Sequence, residues 1–142
     1  MKKSSTADIY FNQVQEIARL IDKSKINLLA QELLKIKKNS GRLFFLGVGG
    51  SAGNSSHAVN DFRKLCEIES YSPVDNVSEL TARINDEGWD NSFVDYLRSS
   101  KLNSKDALFI FSVGGGNKKK NISTILIKAI DLAKKKKLKF LG

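Results

Sequence analysis

Two stretches of this chain share one pattern: a short unbroken apolar run, a glycine-rich turn, then residues with helical spacing. Arg42 to Leu46 runs into Gly47-Val48-Gly49-Gly50-Ser51-Ala52-Gly53, and Ala107 to Phe111 runs into Ser112-Val113-Gly114-Gly115-Gly116-Asn117. A strand with one wet face alternates polar and apolar residues. A solid apolar run between breakers instead reads as a strand covered on both faces, which is the situation of a parallel sheet. Parallel neighbours need crossover connections, and helices supply them. The repeated pattern therefore predicts an α/β fold: a central parallel sheet with helices on both faces, a three-layer sandwich.

The rest of the chain fits this arrangement. Tyr10, Val14, Ile17 and Ile21 recur at helical steps, and Leu29, Leu33 and Ile36 form a second stripe that Asn39-Ser40-Gly41 ends. These two opening helices fill residues 1–40, and the α/β domain is expected over 41–142. A helix is predicted from about Ser51 to Leu65, with Ser51 as its cap. A short strand follows at Ile68 to Tyr71, then a loop at Pro73. Helices are predicted at Ser78 to Asn85, with Ser78 as a cap, and at Trp89 to Arg98. The last helix is expected over Asn121 to Lys137. Leu138 to Leu141 begins a further strand, so the chain is expected to stop before the fold is complete.

Charge and composition exclude several classes. Of the net charge of +9, the stretch from Lys118 to Gly142 holds +8, with nine lysines against the single acid Asp131. Lys134 to Lys137 and Lys139 suit the negative end of a helix, and the cluster has no arginine and no interleaved aromatic for base stacking, so nucleic acid is not the expected partner. No apolar run is long enough to span a bilayer, and no apolar stretch follows the basic residues at the N-terminus as a secretory signal would require. Cys66 is the only cysteine, so neither an internal disulfide nor a cysteine metal knuckle is available. A cytoplasmic location is the expectation.

Parallel sheets bind ligands beyond the carboxyl ends of their strands, where both glycine-rich turns must lie. In the first turn, glycines let backbone N–H groups approach a ligand, and the helix start adds a positive dipole end suited to phosphate. Ser51 can cap that helix or donate to a phosphate oxygen. No Lys-Ser or Lys-Thr pair ends the turn, so it is not a Walker loop. Gly47, Gly49 and Ala52 match a dinucleotide fingerprint only if alanine takes the third place. The turn can equally be a tight strand-to-helix connection with no ligand. Its pairing with the second turn across one crevice favours phosphate or sugar phosphate.

Phe44-Phe45-Leu46-Gly47-Val48-Gly49-Gly50-Ser51-Ala52 resembles the strand and first phosphate turn of SIS (sugar isomerase) domains, in particular the D-sedoheptulose 7-phosphate isomerases, or phosphoheptose isomerases. His57 and Asp61 fall where that family carries a histidine and a glutamate on the following helix. Leu80 to Trp89 is similar to the family's stretch around an Asn-Asp pair, here Asn85-Asp86. Ile110-Phe111-Ser112 and the glycines after it resemble the second, serine-rich phosphate turn.

The resemblance implies a flavodoxin-like SIS fold and an aldose–ketose isomerase acting through an enediol on a phosphorylated sugar, from sedoheptulose 7-phosphate to the corresponding heptose phosphate. By the same resemblance Asp61 would be the base and His57 its partner or a zinc ligand, with zinc as the possible cofactor at His57 and Asp61. Gly49, Gly50, Ser51, Asn85, Asp86, Ser112, Gly114 and Asn117 would bind phosphate and sugar. A homodimer or homotetramer would form through the opening helices, since Ile9, Phe11 and Leu20 lie off the main apolar stripe.

The departures are specific. Val48 replaces the family's usual asparagine, Asp61 is one methylene shorter than glutamate, and the second turn keeps only Ser112 of several hydroxyls. His57 is the only histidine. These changes leave open an alternative, a non-catalytic module that senses sugar phosphates or binds a protein partner.

Overall fold

A computed structural model describes residues 4–142, which fall into two compact units divided between Glu32 and Leu33. In the first unit, α1 spans Thr6–Leu20 and α2, Lys23–Lys38, begins. α1 starts with a reciprocal cap: the Ser5 hydroxyl accepts from the Asp8 N–H at 3.1 Å, and the Asp8 carboxylate accepts from the Ser5 N–H at 3.0 Å. None of its residues is buried. Ile9, Tyr10, Phe11, Val14, Ile17 and Leu20 are all exposed, so apolar groups lie on more than one side of the helix.

The second unit holds a parallel sheet of four strands in the order β2-β1-β3-β4. β1 is Leu43–Leu46, β2 Ser70–Tyr71, β3 Ala107–Ile110 and β4 Lys139–Leu141. Between them run α3 (Gly50–Lys64), α4 (Val77–Glu87), α5 (Trp89–Ser99) and α6 (Thr124–Lys135). Every β1 side chain is buried, as a strand covered on both faces requires. On one face Phe44, Leu46 and Leu108 pack with Phe93 and Leu97 of α5 and with Ile125, Leu126, Ala129 and Ala133 of α6. On the other, Phe62 of α3 meets Phe45 at 5.1 Å between ring centroids, and Phe45 meets its β3 register partner Phe109 at 5.2 Å. The predicted α/β architecture, with a central parallel sheet between helical layers, is the one observed.

An ion pair joins the two central strands at their amino ends. Asp106 is 2% exposed and accepts from the Arg42 N–H (3.0 Å), Nε (3.1 Å) and Nη2 (2.7 Å) and from the Asn103 N–H (2.9 Å). The Arg42 guanidinium also donates to the carbonyls of Ser100 and Lys101, and the bond to Asp106 raises its already high pKa. The start of β1 is thereby held beside the start of β3, with Leu43 opposite Ala107.

Local boundaries differ from the sequence reading at the caps. α4 begins at Val77, with Asn76 accepting from the Glu79 N–H, so Ser78 is not its cap. α6 begins at Thr124 rather than near residue 121, because Asn117 and Ile122 pair in a short antiparallel bridge and Ser123 takes a left-handed conformation (φ 51°). That bridge and turn use the backbone groups an earlier helix start would need.

Candidate functional site

The first glycine turn leaves β1 at Leu46, and each glycine there has its own reason. A Cβ on Gly47 would lie 2.2 Å from the Ser51 carbonyl oxygen, so only glycine lets β1 and α3 meet this closely. Gly49 has φ +62°, where other residues are strained, and an added Cβ there would touch nothing. Gly49, not Ser51, is the N-cap of α3, and no side chain caps the helix. Ser51 sits inside the first turn. Its hydroxyl makes no hydrogen bond among the described residues, while the Ser55 hydroxyl donates to the Ser51 carbonyl at 2.9 Å. The N–H groups of Ser51, Ala52 and Gly53 already donate to the Val48 and Gly49 carbonyls, so the turn presents one open N–H, that of Gly50, together with a positive dipole end and a free hydroxyl.

The second turn leaves β3, which pairs with β1 in parallel along its whole length. The Ser112 hydroxyl accepts from the Gly115 N–H at 3.1 Å and shapes the turn. Gly115 and Gly116 both have positive φ. The chain then closes through the Asn117–Ile122 bridge and enters α6, whose cap residue Ser123 makes no side-chain capping bond. Two helices with uncapped amino ends therefore begin at the carboxyl edge of the two central strands.

Between them lies a cleft of about 560 Å³, bordered by residues of both turns and of the first turns of α3 and α6. Of the sequence-predicted binding residues, Gly50, Ser51, Ser112 and Gly114 line it. Gly49 does not line it but sets the backbone that opens α3. Asn117 is spent on the loop itself, its side chain accepting from the Lys120 N–H at 3.0 Å. Asn85 and Asp86 are exposed near the end of α4, bonded to each other at 2.8 Å, and do not border the cleft.

Asn54 and Ser123 line the cleft and were missed by the sequence reading. The signal for Asn54 was its place three residues after Ser51, on the same face of the helix. Ser123 had no local signal, because the bridge before it is a non-helical contact. No ionisable side chain borders the cleft. Its electrostatics come from backbone dipoles and hydroxyls. Lys118, in the adjacent loop, is paired with Asp131 at 2.6 Å, and this bond holds the Asp131 carboxyl below its usual pKa.

His57 and Asp61 are brought together, Nε2 to Oδ2 at 3.2 Å, as the four-residue spacing on a helix requires. The other Asp61 oxygen accepts from the Asn60 amide at 3.2 Å. The His57 side chain is 78% exposed, and neither residue lines the cleft. Among the described residues, no group of three or more His, Cys, Asp or Glu gathers to hold a metal. A structural or catalytic zinc takes three or four protein ligands. Two side chains of this chain alone do not fit a resident zinc.

The profile of the SIS domain family matches residues 9–141. The chain belongs to the SIS domain family. No curated protein matches it in sequence. Among solved structures it is similar to the phosphoheptose isomerase GmhA from Neisseria gonorrhoeae, with a TM-score of 0.78 and 23% identity over 92% of this chain and 66% of that one. It is likewise similar to a phosphoheptose isomerase from Francisella tularensis, with a TM-score of 0.77 and 19% identity over 96% of this chain and 73% of that one. The chain thus spans about two thirds to three quarters of the length of these relatives, and at these identities the likeness is one of fold. Among the described residues, no helix is long and apolar enough to cross a membrane.

Proposed function

We propose that this chain binds a phosphorylated sugar in the cleft between its two glycine turns and belongs to an aldose–ketose isomerase of the phosphoheptose isomerase kind. One observation carries the reading: two uncapped helix starts and the unused Ser51 hydroxyl converge on one cleft at the carboxyl edge of β1 and β3. A phosphate placed there would accept from the N–H groups left open at the two helix starts, Gly50 on α3 and Thr124 and Ile125 on α6, and from Ser51, and the two dipole ends offset its charge. Both structural relatives are named as phosphoheptose isomerases, which agrees with this ligand.

Isomerisation requires a base that moves a proton between adjacent carbons while the oxygens exchange theirs. Asp61 is the candidate base, and His57, bonded to it, holds one carboxylate oxygen in place. Asp61 lies ten residues beyond Ser51 on α3, about 15 Å along the helix axis. Neither it nor His57 borders the cleft of its own chain, so the exposed pair serves best at the cleft of a second copy. The exposed apolar residues of α1 give such an assembly a surface to bury, and a cytoplasmic homo-oligomer is the expected state.

A second reading, a module that senses sugar phosphates without turning them over, is favoured by one fact: no ionisable group lines the cleft itself. Titration calorimetry with sedoheptulose 7-phosphate, paired with an isomerisation assay, tests both. Saturable binding with turnover supports the enzyme, and binding without turnover supports the sensor. No binding of any phosphate ester removes the cleft as a phosphate site.

A further inference from the structure

We propose that the cleft takes a phosphate ester whose carbon skeleton has an apolar stretch next to the phosphate, in preference to a chain hydroxylated at every carbon. The proposal rests on the phosphate reading above alone, not on the seven-carbon sugar, and concerns what lies beyond the phosphate.

The polar side chains of the cleft are few: Ser51 and Asn54 on α3, Ser112 on the second turn and Ser123 at the cap of α6. Ser112 already accepts a bond inside its own turn. The remaining wall is apolar, made by Val48, Phe111, Val113, Ile122 and Leu126. Val113 is 104% exposed, so nothing in the described chain covers it, and Ile122 is 48% exposed, so about half of it stays open.

Neither exposure is demanded by the turn. Val113 is followed by three glycines, and a polar residue at its place would meet only solvent. A fully hydroxylated ligand laid on this wall would lose water from its hydroxyls and find no partners for them, which is costly. An apolar stretch would lose nothing of that kind and would remove apolar surface from water on both sides. With no charged side chain along the wall, discrimination between ligands falls to this contact.

Matched pairs of ligands test the idea on the 142-residue chain. Propyl phosphate and glycerol 3-phosphate share a three-carbon skeleton and differ in two hydroxyls. 2-Deoxyglucose 6-phosphate and glucose 6-phosphate differ in one hydroxyl. Titration should show the propyl and 2-deoxy members binding more tightly, by on the order of tenfold.

Val113→Ser and Val48→Asn should each shrink that preference to about threefold or less, while binding of inorganic phosphate stays the same. Val113 is fully exposed, so its variant keeps the fold whatever the Val48 variant does. Equal or tighter binding of the hydroxylated members overturns the proposal and leaves the phosphate site standing. A preference unchanged in Val113→Ser overturns the assignment of the wall. Failure of inorganic phosphate and all four esters to bind overturns the phosphate reading and this proposal with it.

Discussion

Ser51 and Gly50 allow damage to the site to be separated from damage to the fold. The Ser51 hydroxyl has no partner among the described residues, so Ser51→Ala removes no internal bond. Its effect on stability should stay within about 0.5 kcal/mol, as for surface substitutions generally. A hydrogen bond to a charged group is worth roughly 1.5–3 kcal/mol, and water takes up part of that at an open cleft. A loss of about 1–2 kcal/mol in binding energy is expected, which is roughly 5- to 30-fold in affinity.

Gly50 lines the cleft, and a Cβ added there meets no atom within 4 Å. Gly50→Val should therefore fold, yet its branched side chain enters the space beside the open Gly50 N–H and the Ser51 hydroxyl. Its affinity loss should exceed that of Ser51→Ala. Gly47→Ala provides the contrast. Its Cβ would strike the Ser51 carbonyl, so it should lose stability and binding together. Calorimetric titration with a sugar phosphate reads the affinities, and urea unfolding reads the stabilities. Unchanged affinity in both Ser51→Ala and Gly50→Val would place the ligand elsewhere.

Asp61→Asn in the complete enzyme should keep sugar-phosphate binding and lose turnover by about 10²–10⁴-fold, the scale of a general base, while Asp61→Glu should retain it. If the pair acts in a neighbouring subunit's cleft, mixing Asp61→Asn with Gly50→Val chains should restore part of the activity that each lacks alone, and no recovery would refute that arrangement. Asp106→Ala should cost about 3–5 kcal/mol in urea unfolding, because it strands the partly buried Arg42 guanidinium and two backbone N–H groups. A cost below about 1 kcal/mol would show that water replaces the carboxylate. Burial, reinforced by the nearby Glu79 and Asp75 carboxylates, pushes the Tyr96 hydroxyl up from 10.0 to about 12. Since the neutral form is the one favoured in the fold, its contribution is complete below pH 10 and is lost as pH rises toward 12. The phenolate absorbance that Tyr96→Phe removes should accordingly appear near pH 12, and its appearance near pH 10 would contradict the burial.

The sheet and both glycine turns were legible in the chain itself because their signals are local. Leu43 to Leu46 and Ala107 to Ile110 are solid apolar runs, and a run buried on both faces has no polar positions to blur it. The glycines that follow answer to backbone geometry, which acts over a few residues. The His57–Asp61 contact was equally local, a consequence of four residues on one helix.

What the tertiary structure decided are the facts that depend on distant atoms. That Gly41 admits no side chain depends on the Lys105 carbonyl, which an added Cβ would approach to 2.0 Å. Asn85 and Asp86 looked like site residues because their neighbours resemble a family motif, but the path of α4 places them away from the cleft. Asn54 and Ser123 show the converse, ordinary polar residues that become a common wall only because β1 and β3 pair side by side. Periodicity and glycine preferences are properties of short segments, and a chain carries them openly. A cleft is made by segments more than sixty residues apart, and its lining follows from how helices and strands pack rather than from any residue's own preference.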